Sequence, residues 1–428
     1  MTELGPLPEE WEVAKLGGLA DTKAGGTPST LRSEFWDGDI PWINSGALKD
    51  RVITEPTRYI TKLGLENSVA KLLPVNSVVI ALTGATTGKV GILKFACSTN
   101  QSVVGILSNQ QFDSVFIFYT LMYSRERIIG LKSGAAQPHI NKQIVDNFTI
   151  SLPPLPEQRA IARMLSTIQK AIEAQDKIIA AARELKKSLM HHLFTYGSVP
   201  FPEAERVPLK ETEIGLIPEH WERTELRDLT DIVYGVQAAV ANLTDSSLGI
   251  PILTNINIRN DGTLDLSTLR YYPLPNNKRD RLLLKKSDVL FNWRSGSPLQ
   301  VGKTAIFDLD GDYTFSSFIL RFRVKNDSIS KQYLFRYLNF LKDIGFFTSR
   351  RSQSSVNSVF NASLAAKIPV FLPPPLDQTR ISTMLMAADS KIETEEKCKA
   401  ALQALFKTML HLLMRGQVRV KDLEAQVA

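Results

Sequence analysis

The sequence predicts an α+β fold in which two similar domains of mixed α/β character are separated by two long helices. We expect the helices to pair as an antiparallel intramolecular coiled coil with pseudo-two-fold symmetry. Three observations predict this arrangement. Motifs recur about 210 to 220 residues apart, short strand-like runs fill each repeat, and a heptad pattern of apolar residues ends each repeat.

The duplication is visible in two pairs of motifs. G-P-L-P-E-E-W-E at residues 5–12 is answered by G-L-I-P-E-H-W-E at 215–222. L-P-P-L-P-E-Q-R at 152–159 is answered by L-P-P-P-L-D-Q-T-R at 372–380. Solenoid repeats are only 20 to 50 residues long. A period this long therefore indicates a duplicated unit made of one domain and one helix, and a function that needs two similar domains.

Each repeat begins with a domain of alternating strand-like and helix-like segments. Apolar, β-branched and aromatic runs bounded by Gly, Pro, Asn, Asp and Ser are typical of strands joined by loops. Apolar residues at spacings of three and four indicate helices. The predicted strands are 77–82, 103–107 and 148–152, then 289–293, 318–324 and 368–372, and the predicted helices are 115–131 and 332–346.

The long helices carry a seam of heptad spacing, which is the signature of a coiled coil. Alternate steps of four and three from Ile161 meet apolar residues at eight of ten positions, and shifting every number by 220 again gives eight of ten. The seam consists of Ile161, Leu165, Ile168, Ile172, Ile179, Ala182, Leu189 and Leu193 in the first helix, and Ile381, Leu385, Ala388, Ile392, Leu402, Phe406, Met409 and Leu413 in the second.

The seams and the motifs set the predicted domain boundaries. We expect a first domain over 1–153, a central helix over 154–197, a linker and second domain over 198–373, and a C-terminal helix and tail over 374–428. A helix from Glu157 to Phe194 would be roughly 57 Å long at 1.5 Å per residue. The alternative is that each helix packs only against its own domain.

Composition restricts the class of protein. Apolar residues make up 43% of the chain and charged residues 22%, as in globular domains. The longest apolar stretch, at 116–122, is too short to span a bilayer, and the N-terminus has no secretory pattern. Two cysteines in unlike contexts, Cys97 and Cys398, predict unpaired thiols in a reducing cytoplasm. The net charge of +7 permits a polyanionic partner without requiring one.

Motifs for catalysis and for metal binding are absent from the sequence. The segment 84–90 (G-A-T-T-G-K-V) is one residue shorter than a phosphate-binding loop, and 296–304 (G-S-P-L-Q-V-G-K-T) is one residue longer. These equivalent positions instead indicate a repeated strand-loop-strand. His191, His192 and His411 lack neighbouring metal ligands. We therefore expect no catalytic residue and no metal site in this chain.

The remaining polar loops carry side chains suited to base edges and phosphates. Arg and Lys suit guanine, Asn and Gln suit adenine, and Ser and Thr suit either. The candidate DNA-contacting residues of the first domain are Lys23, Thr27, Ser29, Arg32, Trp36, Asn44, Ser45, Thr83, Thr86, Thr87, Lys89, Gln101, Gln137, His139, Asn141 and Lys142. Those of the second domain are Tyr234, Gln237, Asn255, Asn257, Arg259, Arg294, Ser295, Ser297, Lys303, Arg350, Arg351, Gln353 and Asn357.

At these residues the chain resembles the specificity subunit of a type I restriction–modification system over nearly its whole length. The resemblance rests on the repeated P-x-x-W-E opening, on G-G-T-P-S at 25–29, on F-W-D-G-D-I-P-W at 35–42 and on G-A-T-T-G-K-V. The strongest mark of the resemblance is the motif L-P-P-L-P-E-Q-R-A-I-A, which leads into a long helix. The second copy departs from the pattern, because it lacks G-G-T-P-S and has Asp377 for Glu157 and Thr379 for Arg159.

The resemblance implies a non-catalytic subunit whose two target recognition domains each read one half of a split, asymmetric DNA site. It also implies that the helices act as a spacer and as the platform for two methyltransferase subunits, which restriction and translocase subunits then join. S-adenosylmethionine, ATP and magnesium would be bound by those partners and not by this chain. Two half-sites about one helical turn apart would lie on one face of a duplex.

Two other functions remain open from the sequence. The chain could be the specificity subunit of a related system that cuts on both sides of its site. It could also be a scaffold that binds protein or carbohydrate instead of DNA. A self-contained enzyme is disfavoured because the catalytic motifs are missing.

Overall fold

The computed structural model describes residues 4–131, 139–237, 249–349, 352–353, 358–420 and 422. The chain divides into two compact units. Unit 1 comprises Met1–Lys177 and Lys397–Ala428, and unit 2 comprises Ile178–Glu396. Each unit therefore holds one α+β domain, the part of one long helix that adjoins that domain, and part of the other long helix.

Unit 1 is organised around a five-stranded sheet. Neighbouring strands are antiparallel except for the edge pair formed by Arg51–Ile53 and Val90–Leu93, which is parallel. The strand order is Thr22–Ala24, Val103–Ile106, Val78–Ala81, Val90–Leu93 and Arg51–Ile53. A three-stranded sheet has the order Arg58–Ile60, Trp36–Ile43, Ser98–Thr99, and Glu12–Lys15 pairs with Thr149–Leu152.

The central strand Val78–Ala81 shows why these residues form a buried sheet. All four of its side chains are buried. Val78 and Ile80 face one apolar core, whereas Val79 and Ala81 face another. A strand buried on both faces is continuously apolar instead of alternating. The helices of the unit, besides the long ones, are Leu16–Leu19, Lys62–Glu66, Ser114–Tyr123, Arg125–Gly130 and Lys142–Asn147.

Unit 2 repeats this plan with a four-stranded antiparallel sheet. Its order is Thr230–Tyr234, Ile319–Val324, Val289–Asn292 and Thr304–Ile306. Val289 and Phe291 again face one core and Leu290 another. Two three-stranded sheets have the orders Arg270–Tyr272, Ile250–Leu253, Thr314–Phe315 and Arg294–Ser295, Ser358–Val359, Ser352–Gln353. Two further sheets have two strands each: Glu222–Glu225 pairs with Pro369–Leu372, and Leu209–Thr212 pairs with Gly215–Pro218. The shorter helices are Leu226–Leu229, Asn276–Leu282, Lys331–Asp343, Phe346–Ser349 and Ala362–Ala366.

The two predicted helices of the domains are each broken into two. In unit 1 the predicted helix 115–131 is Ser114–Tyr123 and Arg125–Gly130, with Ser124 (φ −85°, ψ 7°) at the break. In unit 2 the predicted helix 332–346 ends at Asp343, and Gly345 has a left-handed φ of 76° before Phe346–Ser349. The apolar period continues across both breaks, which is why the sequence pattern did not reveal them.

The long helices span Leu155–Tyr196 and Pro375–Met414. In unit 1, Glu157 pairs with Arg419 and Asp176 with Lys399, so the two chain segments run in opposite directions. In unit 2, Arg183 pairs with Glu396 at 2.5 Å and Lys186 with Asp389 at 2.6 Å. The predicted α+β class and the antiparallel helix pairing are confirmed within each unit.

The heptad seam faces inwards as predicted. None of its 20 positions is exposed, including the polar ones such as Gln175 and Lys186. Ile161, Leu165 and Leu413 lie in the core of unit 1. Leu193, Ile381 and Leu385 lie in the core of unit 2. The helices are therefore part of the domain cores and not separate appendages.

Candidate nucleic-acid interface

Four polar segments of unit 1 meet at one edge of its main sheet. They are residues 25–29, 82–87, 99–102 and 139–142, and we call them the first edge. Backbone hydrogen bonds join Gly26 N to Thr99 O at 2.7 Å and Ile140 N to Leu82 O at 3.1 Å. The Thr83 hydroxyl donates to Ser102 Oγ at 2.8 Å, and the Thr27 hydroxyl donates to Gln101 Oε1. Loops that are far apart in sequence thus form one surface.

The G-G of the first edge is required by close packing of backbone. A Cβ on Gly25 would lie 2.1 Å from Thr99 Oγ1, and one on Gly26 would lie 2.5 Å from the Ala70 nitrogen. Such distances are forbidden to real Cβ atoms, so only glycine brings this loop against strand Ser98–Thr99. The Trp42 indole then donates to Gly26 O at 3.2 Å. These contacts hold the loop against the sheet.

Most predicted residues of the first domain lie on or beside this edge. Thr27, Ser29, Thr83, Thr86, Thr87, Gln101, His139, Asn141 and Lys142 belong to its segments, and Lys23, Arg32 and Lys89 adjoin them in sequence. Several also have structural partners. Asn141 Oδ1 accepts from Ile144 N at 2.9 Å and so caps helix Lys142–Asn147, while Lys142 pairs with Asp146. Asn44 caps the turn Ser45–Ala47 by accepting from Gly46 N at 2.9 Å.

Trp36 requires a correction. Its ring is buried, and its indole N–H donates to Ser29 O at 3.1 Å, so it supports the loop instead of reaching a base. The Arg58 guanidinium lies over the Trp36 ring, 4.4 Å from its centroid, and pairs with Asp37 at 3.2 Å. The sequence does not indicate Arg58 as a partner of Trp36, because only the tertiary structure brings strand Arg58–Ile60 against strand Trp36–Ile43.

Unit 2 has an edge built from the equivalent segments, 234–237, 292–297, 315–318 and 358–362, which we call the second edge. Val236 N donates to Phe315 O at 2.7 Å, and Phe360 N donates to Trp293 O at 2.8 Å. The Tyr234 hydroxyl accepts from Ala362 N at 2.9 Å. These hydrogen bonds join segments matching those of the first edge, so the predicted duplication extends to the surface.

Arg294 is the cation that the second edge presents. Its guanidinium lies 5.6 Å from the centroid of the Phe318 ring. Its Nε is buried and has no hydrogen-bond partner among the described residues. Ser295 and Ser297 follow it in the same loop, Ser295 half-buried and Ser297 exposed, and Gln237 is exposed on the first segment of the edge. The group offers both donors and acceptors to a polar ligand.

Two predicted residues of the second domain lie in its interior, which corrects their expected role. Lys303 is buried, and its Nζ donates to the carbonyl oxygens of Asn255 at 2.8 Å and Ile258 at 2.6 Å. Burial lowers the pKa of this ammonium group. Asn257 is also buried; its Oδ1 accepts from Thr254 N and its Nδ2 donates to Asp265 O. Both side chains hold the loop 254–265 and are not available to a base.

The remaining predicted residues have a different status. Arg259 is exposed and pairs with Asp265 at 2.9 Å, and hydrogen bonds from Ser267 and then Arg259 lower the pKa of Asp265 to about 2. The charge of Arg259 is therefore compensated within the chain. Gln137, Arg350, Arg351 and Asn357 lie outside the described residues, and for Gln353 only the backbone is described, in strand Ser352–Gln353.

The predicted strand-loop-strand at the two imperfect phosphate-loop motifs is confirmed. Val78–Ala81 pairs antiparallel with Val90–Leu93, and Val289–Asn292 pairs antiparallel with Thr304–Ile306. Gly88 and Gly302 occupy the same left-handed position, with φ of 76° and 89°. The glycines are thus turn residues at the base of two loops of different length.

The two flanks of the helix pair differ in chemistry. In unit 2, Arg183, Asp389 and Glu396 immediately follow seam residues and form ion pairs. Ile178 and Leu185 immediately precede seam residues, and both are exposed, Leu185 to 65%. Met384 occupies the corresponding position on the second helix and is also exposed. One flank is therefore ionic, and the other carries the exposed apolar residues Ile178, Leu185 and Met384 together with Lys391; we call these three apolar residues the apolar flank. Within the described residues, none of the helices combines the length and apolarity needed to cross a bilayer.

Comparisons with known proteins agree with the duplicated architecture. A sequence model of the type I restriction modification DNA specificity domain matches residues 8–183 and 218–404. The chain is 27% identical over 424 residues to the type I restriction enzyme MjaVIII specificity subunit of Methanocaldococcus jannaschii, which covers 97% of this chain and 95% of that protein. It is also 27% identical over 201 residues to the EcoR124I/EcoR124II specificity subunit of Escherichia coli, covering 45% of this chain and 49% of that protein.

Solved structures share the fold. An S subunit of a type I restriction–modification system from M. genitalium superposes with a TM-score of 0.57 over 96% of this chain and 99% of its own. A chain from a structure of type I restriction–modification complex assembly gives a TM-score of 0.60 over 96% and 100%. Both are 18% identical to this chain. With two copies of the domain covering most of its length, the chain belongs to the type I restriction–modification DNA specificity family.

Proposed function

We propose that this chain is the DNA-reading subunit of a type I restriction–modification complex and catalyses no reaction itself. Each edge reads one half of a bipartite, asymmetric duplex site. The observation that carries the proposal is that the two edges are built from equivalent segments on equivalent strands, yet differ in side chains and in loop length. Equivalent frames suit one kind of ligand, and different loops suit different sequences of that ligand.

The edges have the chemistry that duplex DNA requires. Hydroxyl and amide side chains such as Thr86, Gln101 and Ser297 can donate to and accept from base edges in the major groove. Cations such as Lys89 and Arg294 can contact guanine or phosphate, and phosphate contacts set the register without reading sequence. Trp36 supports the first edge from beneath through its hydrogen bond to Ser29 O, whereas Asn257 and Lys303 hold the loop 254–265 of unit 2. Because the loops are held by internal hydrogen bonds, less conformational entropy is lost on binding.

The apolar flank is the proposed contact for the methyltransferase subunits. Exposed leucine, isoleucine and methionine side chains on a helix pair are typical of a surface that another chain covers. Restriction and translocase subunits would join that assembly. S-adenosylmethionine, ATP and magnesium belong to those partners under this proposal, and this chain supplies position and sequence selectivity.

An enrichment experiment tests DNA reading. The full chain with its methyltransferase partner is incubated with a random duplex pool at several salt concentrations, and the bound duplexes are sequenced. We expect two short conserved half-sites separated by a gap of fixed length, with affinity that falls as salt rises. A scaffold that binds protein or carbohydrate would enrich no sequence.

A domain exchange tests the proposal that each edge reads one half-site independently of the other. Replacing residues 1–153 with those of another family member should change one half-site and leave the other unchanged. A change in both half-sites would contradict the assignment of one edge to each half.

Variants on the helices test the methyltransferase contact. Leu185→Ser should weaken association with the methyltransferase in a pull-down assay, whereas Lys187→Ser, at an exposed position on the same helix, is the matched control. Equal association of both variants would refute the apolar flank as the docking surface.

A further inference from the structure

One loop of the second edge is longer than the equivalent loop of the first edge. Between strands Val289–Asn292 and Thr304–Ile306 the chain makes an excursion over residues 293–303. Leu299 lies in this loop with 73% of its surface exposed. Its neighbours Ser295, Gly296, Ser297 and Gln300 are polar or lack a side chain. A leucine that is exposed to this extent on a polar loop is not explained by the packing of the domain.

The base of this loop is held in place on both sides. Asn292 N donates to Lys303 O at 2.8 Å, and Gly302 N donates to Asn292 O at 2.9 Å. The buried Asn292 side chain donates from Nδ2 to Gln300 O at 2.8 Å. A Cβ on Gly302 would meet Phe347 at 2.2 Å, so this position packs directly on the core. The loop thus has a defined starting and ending geometry.

The residues around Leu299 also set its direction. Pro298–Gln300 form a single 3-10 turn, and Gln300 N donates to Ser297 O at 3.1 Å. Val301, two residues after Leu299, is buried in the apolar core of unit 2. Because Val301 is anchored inwards and proline restricts the turn, Leu299 is presented outwards without a large entropy cost on binding.

The equivalent loop of the first edge has no such residue. It runs from Thr83 to Gly88, and its tip consists of Gly84, Ala85 and Thr86. The Thr87 hydroxyl donates back to Gly84 O at 2.7 Å, which closes the turn on itself. At this loop, therefore, only the second edge presents a large aliphatic side chain, because Ala85 carries only a methyl group and the exposed Leu31 of unit 1 lies in a different segment, after residues 25–29.

We propose that Leu299 is a wedge that enters the base stack of the DNA half-site bound by the second edge. This inference rests on the proposed function and specifies how one edge reads its site. Proteins that deform DNA insert single apolar side chains such as leucine between adjacent base pairs and partly unstack them. Arg294, five residues earlier in the same loop, supplies a cation for the neighbouring phosphate or base edge. The base pairs on either side would bury the leucine side chain. The affinity would then depend on how easily that base-pair step is unstacked.

The wedge adds a form of selectivity that hydrogen bonds do not supply. Pyrimidine–purine steps unstack more easily than other steps, so the second half-site should favour one of them at the wedge position. The first half-site should show no such requirement at the equivalent position. The two halves of the site are thus read by different physical means.

The test uses the full chain with its methyltransferase and the duplex recovered in the enrichment experiment. 2-Aminopurine, whose fluorescence rises when it is unstacked, is placed at successive positions of the second half-site. We expect a severalfold rise at one step, lost in Leu299→Ala and retained in Leu299→Met, whose side chain is of similar volume. Affinity should fall about 10- to 100-fold in Leu299→Ala, as expected for losing the burial of one leucine.

Two controls separate the possible outcomes. Leu216→Ala, on the half-exposed hairpin Leu209–Thr212 and Gly215–Pro218, should change neither fluorescence nor affinity. A methyltransferase extrudes its target base from the stack, so 2-aminopurine at that base should give a second signal, which should persist in Leu299→Ala. If a duplex is enriched but no step in it gives a fluorescence signal that depends on Leu299, the wedge is overturned and the proposed function stands. Weaker methyltransferase association in Leu299→Ala without DNA also overturns it. Failure to enrich any duplex overturns both proposals.

Discussion

Arg419 links the segment after the second long helix to the start of the first domain, and its removal is the most informative test of unit 1. Its Nη2 donates to Glu157 Oε2 and to Glu10 Oε2, both at 2.6 Å, and its Nε also donates to Glu157. Trp11 Nε1 donates to the same Glu157 carboxylate at 3.1 Å. The perturbation is Arg419→Met, which keeps an apolar stem and removes the guanidinium.

The magnitude follows from the burial of the partners. The side chains of Arg419 and Glu157 are only 16% and 13% exposed, so their two-pronged pair is partly protected from water. Hydrogen bonds between charged groups contribute roughly 1.5–3 kcal/mol each, and we expect a net loss of about 2 kcal/mol. Glu10 is 56% exposed and adds less than about 1 kcal/mol because solvent screens it. A domain of this size should lose about 4–8 °C in Tm.

Calorimetry of the full chain measures this change. The matched control is Lys62→Met, which removes a pair to Glu66 at 3.8 Å in the same unit, where the lysine side chain is 83% exposed. The control should change Tm by about 1 °C or less. In 1 M salt the effect of Arg419→Met should largely persist, because a partly buried pair is poorly screened. If the two variants shift Tm equally, or if salt abolishes both shifts, the reasoning about this contact is refuted.

Three further predictions concern a buried leucine, a helix cap and the two thiols. Leu385→Ala should cost unit 2 about 3 kcal/mol in the free energy of unfolding, because the side chain is fully buried, whereas Leu185→Ala on the exposed flank should cost little; denaturant titration measures both. Asn361→Ala should cost about 1 kcal/mol in the same assay, because Asn361 Oδ1 caps helix Ala362–Ala366 through Leu364 N at 3.0 Å. Burial raises the pKa of the Cys97 thiol to about 12, so at pH 8 a maleimide counted by mass spectrometry should label exposed Cys398 alone, and labelling of both thiols in the folded chain would contradict this.

The two long helices were predictable in detail from the sequence, whereas the breaks in the shorter predicted helices were not. A seam of heptad spacing depends only on the local period of a helix, which is the same in every protein. Even its polar positions are accounted for, since Lys186 reaches Asp389 across the helix pair. The strands were predicted as runs but not as sheets. Their order depends on pairings between distant segments, such as Arg51–Ile53 with Val90–Leu93, which no local pattern encodes.

The candidate site was predictable in composition and not in geometry. The chemistry of Thr83 and Gln101 predicts a role in DNA contact, and the structure shows that hydrogen bonds bring their loops together with neighbouring loops. The chemistry of Lys303 and Trp36 predicts the same role, yet both side chains are buried. The sequence does not show which side of a loop a polar or aromatic side chain occupies. Only the packing of the loop decides whether that side chain faces water.

By itself, the sequence determined that the chain is duplicated, that each copy ends in a long helix with an apolar seam, and that two similar domains are present. These properties are periodic or repeated, so they can be read without knowing which segments meet. The tertiary structure decided which segments form each edge, which charges are already paired within the chain and which side chains project from it. Those properties arise from contacts between residues that are distant in sequence, and in the loop of Leu299 they depend on one buried amide and one glycine.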